Sequence, residues 1–197
     1  MKTKTGLDII ARDDGGPLRG RRVGLLANPA AVAADLSHAA DILAGLPLEL
    51  AALFGPQHGW RGETQANMIE WEGYRHPRLG VPVHSLYGER REPDPAWLDG
   101  LDALVVDLPD VGARPYTFLW TTVLAARACA AAGIDLVLLD RPNPIGGRLV
   151  EGPILREDHV SFVGLSPIPM RHGMTIGELA AMIAAREEHG RPPGIVQ

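Results

Sequence analysis

Cysteine is almost missing from this chain: among 197 residues only Cys129 carries a thiol. An internal disulfide and a cysteine-built metal cluster are both excluded. A lone thiol in the Ala-rich run around it reads as a small buried apolar side chain. Aromatic residues are also scarce, at 5%, so the place of each one matters. No stretch approaches the roughly 20 apolar residues of a membrane helix, and Met1 to Ile10 has no apolar signal region. No membrane partner is implied and the expected location is cytoplasmic, although processing that had already removed a leader would leave a similar N-terminus. A basic excess is lacking too. The formal charge of −5 argues against a general nucleic-acid surface. Short motifs are absent in the same telling way. There is no G-x-G-x-x-G after the first strand, no G-x-x-x-x-G-K-[ST], no G-x-S-x-G elbow and no helical histidine pair at i, i+4. These absences argue against dinucleotide binding, nucleoside-triphosphate binding, serine hydrolysis and a helical zinc site.

What remains is ordinary globular composition, 46% hydrophobic and 22% charged, enough for one domain spanning residues 1–197. Apolar runs at 23–27, 48–54, 81–86, 103–106 and 134–139 read as strands, the third of them weak and near an edge because of Pro82. Residues 35–44, 117–132 and 176–188 read as helices, with a helical turn at 95–98. T-I-G-E at 175–178 is a capping box. The polar run from Gly55 to Gly80 is too long for a plain connector. A Gly/Pro-rich excursion, 145–170, should hold little regular structure beyond one short hairpin. Ile195 to Gln197 looks like a strand start without a partner. This alternation predicts an α/β fold, a Rossmann-like, doubly wound, mostly parallel sheet.

Parallel strands would gather Asn28, Gln57-His58, Tyr87, Asp107 to Asp110 and Asp140-Arg141-Asn143 on one edge, where ligands bind such sheets. The richest stretch is D-L-P-D-V-G-A-R-P-Y, 107–116, which delivers two carboxylates, Arg114 and Tyr116 to one loop ahead of a helix. Glu63 and Glu151 are further carboxylates with no helix to cap. Asp107 and Asp140 have an equally good structural reading, as partners of loop amides or of Arg114 and Arg141. Trp60, Trp71, Tyr74, Tyr87 and Tyr116 suit stacking on a sugar face, whereas Trp97 and Trp120 suit the core. Arg61, Arg114, Arg141 and Arg171 have few evident neutralising neighbours, which suggests an anionic ligand. His58, Asp107, Asp110 and His172 could form a metal set on the shared edge, but histidines bonding sugar hydroxyls or neighbouring loops is the stronger reading, and no metal is expected.

Six segments in order, G-P-Q-H-G-W-R-G-E (55–63), P-V-H-S-L-Y-G (82–88), D-L-P-D-V-G-A-R-P-Y-T (107–117), L-D-R-P-N-P-I-G-G (139–147), V-E-G-P (150–153) and P-I-P-M-R-H-G-M-T-I-G-E-L-A (167–180), closely resemble the NamZ-type exo-β-N-acetylmuramidases, bacterial glycoside hydrolases. The resemblance implies cofactor-free release of N-acetylmuramic acid from the non-reducing end of peptidoglycan fragments. It also implies a Rossmann-like domain followed by a second one, with the cleft between them. The expectation is therefore a fragment lacking the C-terminal domain, its activity in question; a homo-oligomer stays open. The catalytic candidates are Asp107, Asp110, Glu63 and Glu151. The substrate-binding candidates are Gln57, His58, Arg61, Arg114, Tyr116, Asp140, Arg141, Asn143 and His172, with Arg114 or Arg61 gripping the lactyl carboxylate. One departure stands out. Many members carry Glu where this chain has Gln57, and an amide cannot exchange a proton at neutral pH. Two rival readings are a muramyl-binding half-domain without catalysis and a metal-dependent hydrolase.

Overall fold

The structure is a computed structural model describing residues 3–64, 69–187 and 192–196. Its centre is β5 (Ala103–Asp107), every residue of which is buried. A run of A-L-V-V-D can be apolar on both faces only where helices cover both, as in a parallel sheet. To one side lie β1 (Arg22–Ala27), β2 (Glu49–Gly55), β4 (Pro82–Ser85) and β3 (Tyr74–Arg75); to the other lie β6 (Asp135–Leu139) and β7 (Gly194–Val196). The order is β3-β4-β2-β1-β5-β6-β7. All pairings are parallel except β3 with β4. The register Ala27↔Asp107 and Gly55↔Ser85 brings the strand ends to a common edge, as the alternation of elements anticipates.

Two apolar layers flank the sheet. One holds Phe54, Val106 and Leu138 against α4 (Thr117–Ala132), α5 (Ile176–Arg186) and the single turn α3 (Pro95–Leu98). The other holds Val23, Leu25 and Val105 against α1 (Gly6–Arg12) and α2 (Ala39–Ala44). Trp120 is fully buried and Cys129 nearly so. Gly24 is required by packing: a Cβ there would sit 2.8 Å from the Phe54 ring.

Four elements differ from the sequence-based expectation. The helix α1 has its own capping box, Thr5 with Asp8, and is too short for periodicity to reveal. Strand β3 is only two residues long. Helix α2 starts at Ala39 rather than at 35, because Ser37 N–H bonds to Asp35 and Leu36 turns left-handed before His38 caps the helix. Finally, Ile195 and Val196 do find a partner. They pair with Leu138 and Leu139, and α1 packs over this edge with Gly6 N–H donating to the Asp140 carbonyl at 2.9 Å. The excursion 145–170 is irregular apart from a single turn at Glu157–His159 and isolated bridges such as Ser161↔Gly164. Helix α5 ends at Arg186; the expected end at 188 falls outside the described residues.

Candidate active site

Four loops meet at the carboxyl edge of the sheet, and the β5–α4 loop, 108–116, is the one the others are laced to. Ala113 forms a bridge with Arg171, which in turn bridges Glu151. Arg114 is buried and donates through Nη1 to two backbone carbonyls, Pro153 at 2.8 Å and Ile168 at 2.6 Å. Its own carbonyl accepts from the Trp120 indole at 2.8 Å. Arg114 therefore staples the excursion to the sheet through Nη1.

The carboxylates separate clearly. Asp107 ends β5 with its side chain fully buried, gripped by Arg141 through Nε at 2.5 Å and Nη2 at 2.9 Å. Arg141 Nη2 also donates to the Val32 carbonyl at 3.0 Å. Burial pushes the Asp107 carboxyl above its ordinary range, and the Arg141 fork partly opposes this. Asp140 accepts from the Arg141 amide (3.0 Å), the Thr175 hydroxyl (2.5 Å) and the Gly177 amide (3.1 Å), so it anchors the start of α5. Gly177 has to be glycine here, since a Cβ would lie 2.7 Å from an Asp140 oxygen. Glu151 is exposed and paired with Arg171 at 2.6 Å. Glu63 is exposed and accepts from the Arg61 amide at 2.7 Å. Glu178 caps α5 from within the T-I-G-E box.

Asp110 is different. Its side chain is 5% exposed and lies 3.1 Å, through Oδ2, from Nε2 of His172, itself 1% exposed. The Gly112 amide donates to the same oxygen at 3.1 Å. His172 Nδ1 accepts from the Met174 amide at 3.3 Å, so the ring proton of the neutral imidazole sits on Nε2, toward Asp110. The approach is close but off-line, which leaves Nε2 without an aligned hydrogen bond. Asp110 Oδ1 is buried and has no protein partner among the described residues. Such orphaned acceptors are rare in native interiors and call for an explanation. The Tyr116 phenol stands close by; burial raises its pKa, and the Asp110 charge raises it further.

Three more expected residues line the neighbouring loops. Gln57 Oε1 accepts from the Thr117 hydroxyl at the head of α4, 2.9 Å away, which ties the β2 loop to the Asp110 loop. His58 adopts a left-handed φ of 73° and its Nδ1 lies 2.9 Å from the Thr64 carbonyl. Asn143 braces its own loop, donating to Met174 O at 2.9 Å and accepting from Ile145 N at 3.0 Å. Arg61 is exposed, with its guanidinium 5.4 Å from the Tyr74 ring centre. The sequence reading placed Thr175 only as the head of a capping box and gave no role to Thr117 or Gly177.

Two expectations fail for a shared reason. Trp60, Trp71 and Tyr87 do not offer faces to a sugar: they are 4%, 8% and 2% exposed and fold back into the α2-side core. Trp71 secures itself there by donating to the Pro56 carbonyl. Likewise Arg141 and Arg171 are not unneutralised, because Asp107 and Glu151 pair with them, whereas Arg114 donates to neutral carbonyls. Long irregular loops bury aromatic and guanidinium groups to hold themselves together. Among the described residues, no group of three or more His, Cys, Asp or Glu is arranged to hold a metal ion, so the four-residue set considered from sequence does not assemble.

Comparison with known proteins fits this architecture. Residues 23–196 match the family model described as exo-beta-N-acetylmuramidase NamZ, N-terminal. The peptidoglycan beta-N-acetylmuramidase NamZ of Bacillus subtilis is 48% identical over 182 residues, covering 92% of this chain and 44% of that protein. Two crystal structures of DUF1343 family proteins from Bacteroides fragilis superpose with TM-scores of 0.87 and 0.81, at 38% and 34% identity, over 98% and 99% of this chain and 49% and 51% of theirs. The chain thus spans about half the length of these relatives. From the match over nearly all of its sheet, the chain belongs to the NamZ family, as an N-terminal domain.

Proposed function

We propose that this chain is the N-terminal part of an exo-β-N-acetylmuramidase that releases N-acetylmuramic acid from the non-reducing end of peptidoglycan fragments, with Asp110 as the reacting carboxylate. The supporting observation is the Asp110–His172 pair. Of the four carboxylates proposed from sequence, only Asp110 is both buried and equipped with an unused oxygen. The Gly112 amide and the nearby His172 ring occupy the Oδ2 side and leave Oδ1 open. The free Oδ1 is then suited to face the positive charge that develops at the anomeric carbon in an oxocarbenium-like transition state. Tyr116 and Thr117 lie at the same helix head and serve as hydroxyl partners for the sugar. Arg61, exposed and without a salt bridge among the described residues, is the guanidinium we assign to the lactyl carboxylate.

Glycoside hydrolysis ordinarily uses a second carboxyl to protonate the leaving oxygen. Gln57 faces the same loop through Thr117, yet carries an amide. This favours a second reading, binding of muramyl sugars with little cleavage of natural glycosides. Incubating the protein with a muramyl-glucosamine disaccharide and with a nitrophenyl muramide, followed by mass spectrometry of the products, separates the two. Free N-acetylmuramic acid from either substrate supports hydrolysis. Calorimetric binding of the sugar without any release supports the binding reading, and neither binding nor release would refute both.

A further inference from the structure

Asn143, on the loop after β6, reaches both of the turns that carry the Asp110–His172 pair. Its Nδ2 donates to the Met174 carbonyl at 2.9 Å and its Oδ1 accepts from the Ile145 amide at 3.0 Å. These partners fix which side-chain atom is which, since a carbonyl requires the amide and an N–H requires the oxygen. The Met174 amide in turn donates to His172 Nδ1. The residue that Asn143 holds by its carbonyl is therefore the one that sets the imidazole tautomer by its N–H. On its other side Asn143 touches the Asp110 turn. Gly112, at a φ of 80°, packs so closely that a Cβ there would lie 2.5 Å from Asn143 Oδ1. The amide of that same glycine donates to Asp110 Oδ2.

The fold does not depend on this contact alone. A backbone bridge between Ala113 and Arg171 joins the two segments, and the Arg114 amide donates to the Met170 carbonyl at 2.8 Å. Arg171 also donates to the Ile145 carbonyl at 2.5 Å, which keeps the loop bearing Asn143 in place from the far side of Ile145. Those bonds set the register as far as Ala113 and Arg171. Beyond the bridge lie Gly112 and Asp110 on one segment and His172 and Met174 on the other, and there Asn143 touches both.

We propose that Asn143 is a positioning residue, clamping the Gly112 turn to the Met174 turn so that Asp110 faces one tautomer of His172. The sequence pattern pointed Asn143 at a ligand; its partners turn it inward, onto the pair. The catalytic consequence rests on the reading of Asp110 as the reacting carboxylate, whereas the clamp itself does not. Misplacing a reacting group by about 1 Å can cost about 10²-fold in rate. Loosening one of the two turns should therefore lower kcat by about 10- to 10²-fold. KM should stay within about twofold, because the lost interaction is not one made with bound substrate.

Long-range proton–nitrogen NMR of the His172 ring, assigned through His172→Gln, tests the clamp directly. In alkaline buffer the wild-type ring should carry its proton on Nε2 and leave Nδ1 bare. Asn143→Ala and Asn143→Asp should both mix the two tautomers. Only the second keeps an acceptor for the Ile145 amide, so a defect common to both belongs to the lost donor to Met174. On a nitrophenyl muramide both variants should show the fall in kcat with little change in KM. An unchanged His172 signature in either folded variant, or an unchanged kcat against an active wild type, overturns the proposal. If neither variant folds, the wild-type chain decides: one Asn143 side-chain amide proton should exchange slowly with solvent, and fast exchange of both overturns the clamp. A wild type that cleaves nothing, or Asp110→Asn at the wild-type rate, removes the reading of the reaction and leaves the tautomer result to decide the clamp.

Discussion

Replacing Arg141 with Met should damage stability far more than an arginine near a ligand edge ordinarily would. Asp107 is fully buried, and both of its oxygens are held by Arg141, at 2.5 and 2.9 Å. Removing one partner of a buried ion pair typically costs about 3–5 kcal/mol, because the other charge is left uncompensated. The Val32 carbonyl also loses its 3.0 Å donor. The net loss expected at pH 7 is about 3 kcal/mol, at the lower end because Asp107 can escape by taking up a proton. That escape fixes the sign of the pH dependence. Burial already raises the Asp107 pKa, and without the opposing guanidinium it rises further. The folded state then binds the proton more tightly than the unfolded one, so the deficit of the variant shrinks as pH falls through the folded pKa toward the ordinary carboxylate range. Urea denaturation at several pH values measures this. Adding Asp107→Asn to Arg141→Met should recover much of the loss at pH 7. A single variant that costs less than about 1 kcal/mol, or a double variant no more stable than the single one, would show that the pair is not the brace described here.

Other outcomes follow from individual sites. The carboxyl of Asp8 is held below its usual range chiefly by the Thr5 amide, so its support of α1 is complete above about pH 4 and fades as pH falls through the lowered value; Thr5→Ala should cost about 1 kcal/mol in thermal or urea unfolding yet keep most of that acid sensitivity, since the amide remains, whereas Asp8→Asn should abolish it. Burial pushes the Cys129 thiol up to about 12, so Ellman's reagent at pH 8 should leave it unmodified until denaturant is added. Gln57→Glu places a carboxyl beside the Thr117 hydroxyl. If Gln57 is what limits protonation of the leaving oxygen, this change should raise turnover of a muramyl disaccharide by about 10²-fold or more, with a much smaller effect on a nitrophenyl muramide, whose leaving group departs without a proton.

The sheet was legible because its strands are apolar runs closed by polar residues, A-L-V-V before Asp107 and L-V-L-L before Asp140. The common edge followed from parallel pairing alone. Short elements escaped, since seven residues of α1 and two of β3 are below the length at which hydrophobic period carries information. At the site, residue types were legible and partners were not. Asp107, Asp110 and Asp140 look alike in sequence, and what distinguishes them is that Arg141, His172 and Thr175 arrive from segments 34 to 62 residues further along. That Arg114 holds the excursion through Nη1 could not be read, because its partners, the carbonyls of Pro153 and Ile168, leave no mark in a sequence. Trp60 and Trp71 misled for a related reason: a ring in a loop can turn either outward or back onto the sheet.

Asp110→Asn gives the most direct test, since it keeps the shape of the side chain while removing the charge from Oδ1. Release of nitrophenol from a nitrophenyl muramide should fall by at least about 10²-fold, with folding and calorimetric affinity for N-acetylmuramic acid close to wild type. Release at the wild-type rate from a folded Asp110→Asn protein would contradict the assignment of the reacting carboxylate.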